Sequence, residues 1–222
     1  MNQEPASIHQ RLRTPRAAAI AGIVFSLLFI TSLLPIWISI PANPQGPPGA
    51  VIKHLKTISF SLNLLPFAGI AFLWFIAVVR DQLGELEDRF FATALLGSGL
   101  LFIAMVFSAA AVAGGIINVL ASGSESLIQS GTYAFGRTEI AIIMQIYAMK
   151  MAGVFMITTS TISLRTRIFP RWMAVVGYVL AVGLLLGVGT IEWVTLIFPL
   201  WVLLISTYIL IKNLRNHSES SA

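Results

Sequence analysis

The chain has no cysteine in its 222 residues. That excludes a disulfide frame, a thiol nucleophile and any iron–sulfur or zinc–thiolate site. Its three histidines, His9, His54 and His217, all lie outside the long apolar stretches. Bis-histidine haem, membrane zinc proteases and histidine-dependent intramembrane hydrolases therefore lack their parts. Gly97-Ser98-Gly99 looks like a nucleophile turn but has no base to serve it, and there is no phosphate-cradling Gly-x-x-x-x-Gly-Lys. No cofactor is expected. Charge is scarce too: 10% of residues, against about a quarter in a soluble domain. An ordinary water-soluble fold is excluded.

What the chain has instead is apolar length. Hydrophobic residues make up 57% of it and the mean hydropathy is +0.87. Six segments reach the length of roughly 17–25 residues that crosses a bilayer: Ala17–Ile40, Ile58–Val79, Phe91–Gly114, Ile140–Leu164, Trp172–Thr190 and Trp193–Ile211. Unpaired backbone is intolerable in hydrocarbon and the alternation of barrel strands is missing, so these spans are expected to be helices. Ala17–Ile40 follows Arg11, Arg13 and Arg16 as the core of a signal peptide would. It is too long for a cleavable core of about 7–15 residues, and reads as a retained first span.

Orientation follows from Lys and Arg beside the spans. Arg11, Arg13, Arg16, Arg80 and Arg89 fall on one side of a six-span chain, with Arg165, Arg167, Arg171, Lys212 and Arg215. Only Lys53, Lys56 and Arg137 fall on the other. The expected fold is an all-α bundle of six transmembrane helices with both termini cytoplasmic. It divides into an N-terminal tail (1–16), a membrane domain (17–211) and a C-terminal tail (212–222). The net charge of +5 follows from this cytoplasmic bias and calls for no nucleic acid. The lipid bilayer is the expected environment, with a homo-oligomer or larger membrane complex as the candidate partner.

On the outer side, Pro41–Pro48 is expected to be an extended loop and Asn118–Gly136 a plain one. Thr190-Ile191 leaves so little room that spans five and six are expected to form a tight antiparallel pair. Pro35, Pro66 and Pro199 each sit in the outer half of a span, where kinks would splay the helices into a vestibule. Span three has Gly97, Gly99, Ala104, Ser108 to Ala111, Gly114 and Gly115. Span five has Gly177, Gly183, Gly187 and Gly189. Such surfaces allow close helix approach, within one chain or between copies.

The fourth span alone carries a charge within it, Lys150. A lysine near mid-membrane costs a few kcal/mol, so this span is expected at the inside of the bundle. Glu139 lies eleven residues earlier, which at 100° per residue places it on the same face about 16 Å away. Glu139, Tyr147, Lys150 and Thr161 then form a polar stripe that lines a path or pocket. Glu192, Glu125 and Asn63 are the candidate partners of Lys150. The plainer alternative is that a carboxylate or carbonyl of a neighbouring helix holds Lys150 for packing alone. Thr158 to Thr161 are expected to bond carbonyls one turn back, and the crowded methionines of this span to serve as adaptable packing.

Pro66-Phe67-Ala68-Gly69-Ile70-Ala71-Phe72-Leu73-Trp74 with Arg80-Asp81, Glu87-Asp88-Arg89-Phe90-Phe91-Ala92-Thr93, Tyr133-Ala134-Phe135-Gly136-Arg137 and Pro170-Arg171-Trp172 resemble a bacterial family of small six-span integral membrane proteins with no assigned activity. The resemblance implies a multi-pass protein of the bacterial plasma membrane and nothing mechanistic. Three functions remain in view: a non-catalytic structural or accessory subunit acting through helix packing, a small transporter or channel with a polar site at Lys150, and, last, a lipid-modifying enzyme using Lys150 or Glu139.

Overall fold

The computed structural model describes residues 14–39, 49–83, 89–123, 131–166, 170–187 and 192–219. The regular elements are α1 (Thr14–Ser39), a short α2 (Gly49–Lys53), α3 (Leu55–Leu83), α4 (Arg89–Ala121), α5 (Thr132–Ile142), a π-helical segment (Ile143–Ala148), α6 (Met149–Thr166), α7 (Arg171–Leu186), a 3-10 turn (Glu192–Leu196) and α8 (Ile197–Glu219). Five of the resulting rods are long and apolar enough to cross a membrane: Arg16–Ser39, Leu55–Arg80, Phe90–Ala121, Thr132–Arg165 and Trp193–Arg215. The fifth expected span is shorter. At 16 residues, α7 reaches about 24 Å against a hydrocarbon thickness of about 30 Å.

The expected loop at Asn118–Gly136 turns out partly helical at both ends. Span three continues through Ala121, and the fourth rod starts at Thr132. Gly131, with φ of 73°, supplies the left-handed residue that a side chain would resist just before that start. The expected loop at Pro41–Pro48 and the Thr190-Ile191 hairpin lie outside the described residues.

Helix α1 packs between α3 and α8, α4 packs against α3 and α6, and α7 leans chiefly on α6. The tight pairing of spans five and six is not what holds α8, whose main neighbour is α1. Trp201 of α8 meets α7 at Gly177, where an added Cβ would come 3.0 Å from the indole nitrogen. A contact made through so bulky a side chain keeps most of the two helices apart.

The centre of the bundle is built of phenylalanine rather than lysine. Phe72 of α3 has its ring centroid 4.5 Å from Phe25 of α1, 5.5 Å from Phe102 of α4, 5.2 Å from Phe155 of α6 and 5.5 Å from Phe198 of α8. Most of these pairs are tilted or edge-on, the arrangement the ring quadrupole favours by about 0.5–1.5 kcal/mol each. In lipid there is no water to drive apolar helices together, so dense van der Waals packing must supply the association. Gly22 allows it: a Cβ there would run into Ser206 of α8 and the ring of Phe75 of α3.

Some buried hydroxyls are answered locally, whereas those of Ser160, Ser163 and Ser206 make no hydrogen bond among the described residues. Ser26 donates to the Gly22 carbonyl, Thr158 to Val154, Thr159 to Phe155 and Thr161 to Ile157, each at 2.8 Å. The threonine run therefore bonds one turn back, as expected of membrane helices.

Candidate functional site

The bundle has two ends that the chain itself distinguishes. Arg16 and Asn213 are hydrogen-bonded, so α1 begins where α8 finishes; this is the near end. At the far end the ring centroids of Trp37 and Trp193 lie 5.3 Å apart, and there a cavity of about 170 Å³ opens between α1, α3, α4 and α5. Leu33 and Trp37 of α1, Ile58 and Leu65 of α3, and Ala109 and Ala113 of α4 form its apolar walls. An apolar cavity of similar size, about 150 Å³, accepts benzene. Pro35 and Pro66 stand within the wall-forming stretches of α1 and α3. Lacking N–H groups, they leave the carbonyls of Thr31 and Leu62 without their helical donors.

Few polar side chains reach this cavity: Trp37, Tyr133, Arg137, Gln145 and Thr195. Tyr133, Arg137, Ala141 and Gln145 recur every four residues and so share one helix face. Tyr133 is 4% exposed, yet its hydroxyl makes no hydrogen bond among the described residues. The Arg137 guanidinium carbon sits 5.8 Å from the centre of the Tyr133 ring, within cation–π range. Arg137 is half-buried, and among the described residues no acidic side chain lines the cavity.

Compared with known proteins, the chain matches no family model, no curated protein and no solved structure. The chemistry of the site therefore rests on its own geometry.

The polar stripe expected from the fourth span does not converge. Lys150 is exposed, with no hydrogen bond or ion pair among the described residues. Tyr147 is 56% exposed, and Glu139 is half-buried outside the cavity lining. Thr161 turns to α7, its hydroxyl 2.6 Å from that of Tyr178. Of the candidate partners of Lys150, Asn63 is exposed on α3 and Glu192 opens the 3-10 turn. Glu125 lies outside the described residues.

Two physical reasons account for this. The segment Ile143–Ala148 is π-helical, and a turn closed by i→i+5 bonds takes up about one extra residue. That shifts the rotational phase by about 100°, so Glu139 and Lys150 no longer share a face. Beyond it, Met149, Ala152, Phe155, Met156 and Thr159 are buried, and Lys150 projects about 160° from the middle of that stripe.

Depth supplies the second reason. Arg165, beside Phe91 at the near end with its guanidinium carbon 4.6 Å from the ring centroid, lies fifteen residues beyond Lys150, or about 22 Å. In hydrocarbon about 30 Å thick, an ammonium at that height snorkels to the far interface along its own stem. The expectation that Lys150 is sheltered inside the bundle is thus corrected: it points away from the core.

Proposed function

We propose that this is a non-catalytic subunit of the bacterial plasma membrane that acts by packing its helices against a second copy of itself or a larger membrane complex. Six crossings with both termini cytoplasmic form part of the proposal. An even number of crossings suits the Arg16–Asn213 hydrogen bond. As the fifth of those six, α7 falls about 6 Å short of the hydrocarbon thickness, and bilayer thinning absorbs that at fractions of a kcal/mol per Å.

The observation that carries the reading is a stripe on α4. Gly97, Leu101, Ala104, Ser108, Ala111 and Gly115 fall within about 40° of one line along the helix. All are exposed except the half-buried Gly97, and a Cβ added at Gly97 or Gly115 would meet nothing within 4 Å. Leu101 apart, these are small residues; turned toward lipid they gain little, whereas against another helix they let backbones approach closely. The exposed position of Lys150, on the face away from the core, lends no support to a transport path through it.

The absence of cysteine makes the test simple. Ser108→Cys, oxidised in native membranes, should give a disulfide-linked dimer, and Phe60→Cys on the exposed face of α3 should not. Adding Ala104→Leu should abolish the cross-link. Efficient cross-linking from Phe60→Cys but not from Ser108→Cys would place the contact elsewhere.

A further inference from the structure

The cavity and the α4 stripe lie on opposite faces of one helix, so a ligand in the first is independent of a packing partner on the second. Along the rod Thr132–Arg165, Gln145 stands twenty residues from Arg165 and Arg137 twenty-eight, about 30 Å and 40 Å. Hydrocarbon extends for about 30 Å and the head-group zones bring the bilayer to about 40–45 Å. The lower part of the cavity therefore lies at the level of acyl chains and its upper part at the level of head groups.

Its chemistry changes with the same gradient. Below are leucine, isoleucine and alanine walls; above are the half-buried Arg137 guanidinium and the Tyr133 hydroxyl, which alone of the two is buried and makes no hydrogen bond among the described residues. Lys53 and Lys56 stand within two residues of Val51 and Ile58, which line the cavity. The three basic residues that the charge count leaves on the outer side thus all belong to the elements that surround this opening.

We propose that the cavity holds one anionic phospholipid of the membrane, an acyl chain between α1, α3 and α4 and the phosphate at Arg137 and Tyr133. The guanidinium supplies the charge-assisted hydrogen bonds that phosphate oxygens accept. The Tyr133 hydroxyl, costly to leave unpaired in a buried setting, donates to the same head group. A zwitterionic lipid fits the walls equally well but brings a second, positive charge to a rim that is already basic.

The test is native mass spectrometry of the intact chain in detergent with dioleoyl phosphatidylglycerol, dioleoyl phosphatidylcholine or oleate. One phosphatidylglycerol should be retained at about tenfold lower concentration than phosphatidylcholine, the ratio expected of a charge-assisted contact. Arg137→Gln should erase that preference, Tyr133→Phe should weaken retention by about fivefold, and Ala113→Phe should fill the cavity and reduce retention of both lipids. Thermal melting of each variant identifies any that fails to fold, and the remaining variants then decide. Equal retention of the two phospholipids, a preference that survives Arg137→Gln, or retention unchanged by both Tyr133→Phe and Ala113→Phe overturns the proposal. Retention of oleate in place of phosphatidylglycerol overturns the phospholipid as occupant.

Discussion

Arg16, at the start of α1, donates a 3.0 Å hydrogen bond from its Nε to the side-chain oxygen of Asn213, 197 residues away near the end of α8. The first and last long helices are tied at one end of the bundle, side by side along their length. Asn213→Leu removes the acceptor and should lower stability by about 1.5–3 kcal/mol, the range for a hydrogen bond from a charged donor. Thermal melting in a fixed detergent reads the change, and an unaltered melting temperature would show the bond to be incidental.

The same bond sets a topological prediction. A cysteine in place of Leu214 should react with a membrane-impermeant maleimide only after the cells are opened, while one in place of Ser122 should react in intact cells. Labelling of both from outside would put the near and far ends on one side of the membrane.

Phe72 touches rings from four other helices. Phe72→Ala should cost about 3–5 kcal/mol, the usual range for emptying a buried aromatic site. Trp74→Ala, at an exposed position two residues on, should change stability by less than about 1 kcal/mol. Equal losses from the two would place the core elsewhere.

Glycines sort in the same way. Gly22→Leu should destabilise by about 1–3 kcal/mol through overpacking against Ser206 and Phe75. Gly183→Ala meets nothing within 4 Å and should stabilise α7 by up to about 1 kcal/mol through helix propensity. Paired melts check both signs.

Lys150→Met bears on the fourth span directly. An exposed lysine with no partner among the described residues should be replaced at a cost below about 1 kcal/mol. A loss of about 3–5 kcal/mol would instead reveal a broken buried ion pair.

Helices are legible in this sequence because hydropathy marks them without regard to neighbours. Their ends are less so. Asn118–Ala121 and Thr132–Arg137 mix small and polar residues and read as loop, yet the rods continue through them because adjacent rods pack there, as Tyr133 does in a cluster with Val51, Ile58, Ile117 and Leu120. The buried face of the fourth rod is open to reading in Met149, Ala152, Phe155, Met156 and Thr159, and that pattern already turns Lys150 outward. Tyr133, Arg137 and Gln145 are likewise spaced on one face, but Tyr133 lies in a stretch that glycine and serine disguise as a turn. What no local pattern encodes is which helices stand side by side, and the cavity exists only because α1, α3 and α4 meet the upper part of this rod.

The wide turn at Ile143–Ala148 gives the fourth rod two independent aims. Above it one residue set addresses the cavity; below it another addresses the phenylalanine cluster. Excising a single residue there would restore uniform winding and swing Tyr133 and Arg137 about 100° around the axis, emptying the head-group position while leaving the lower packing in place. In such a chain, the gain or loss of one codon decides where a binding face looks.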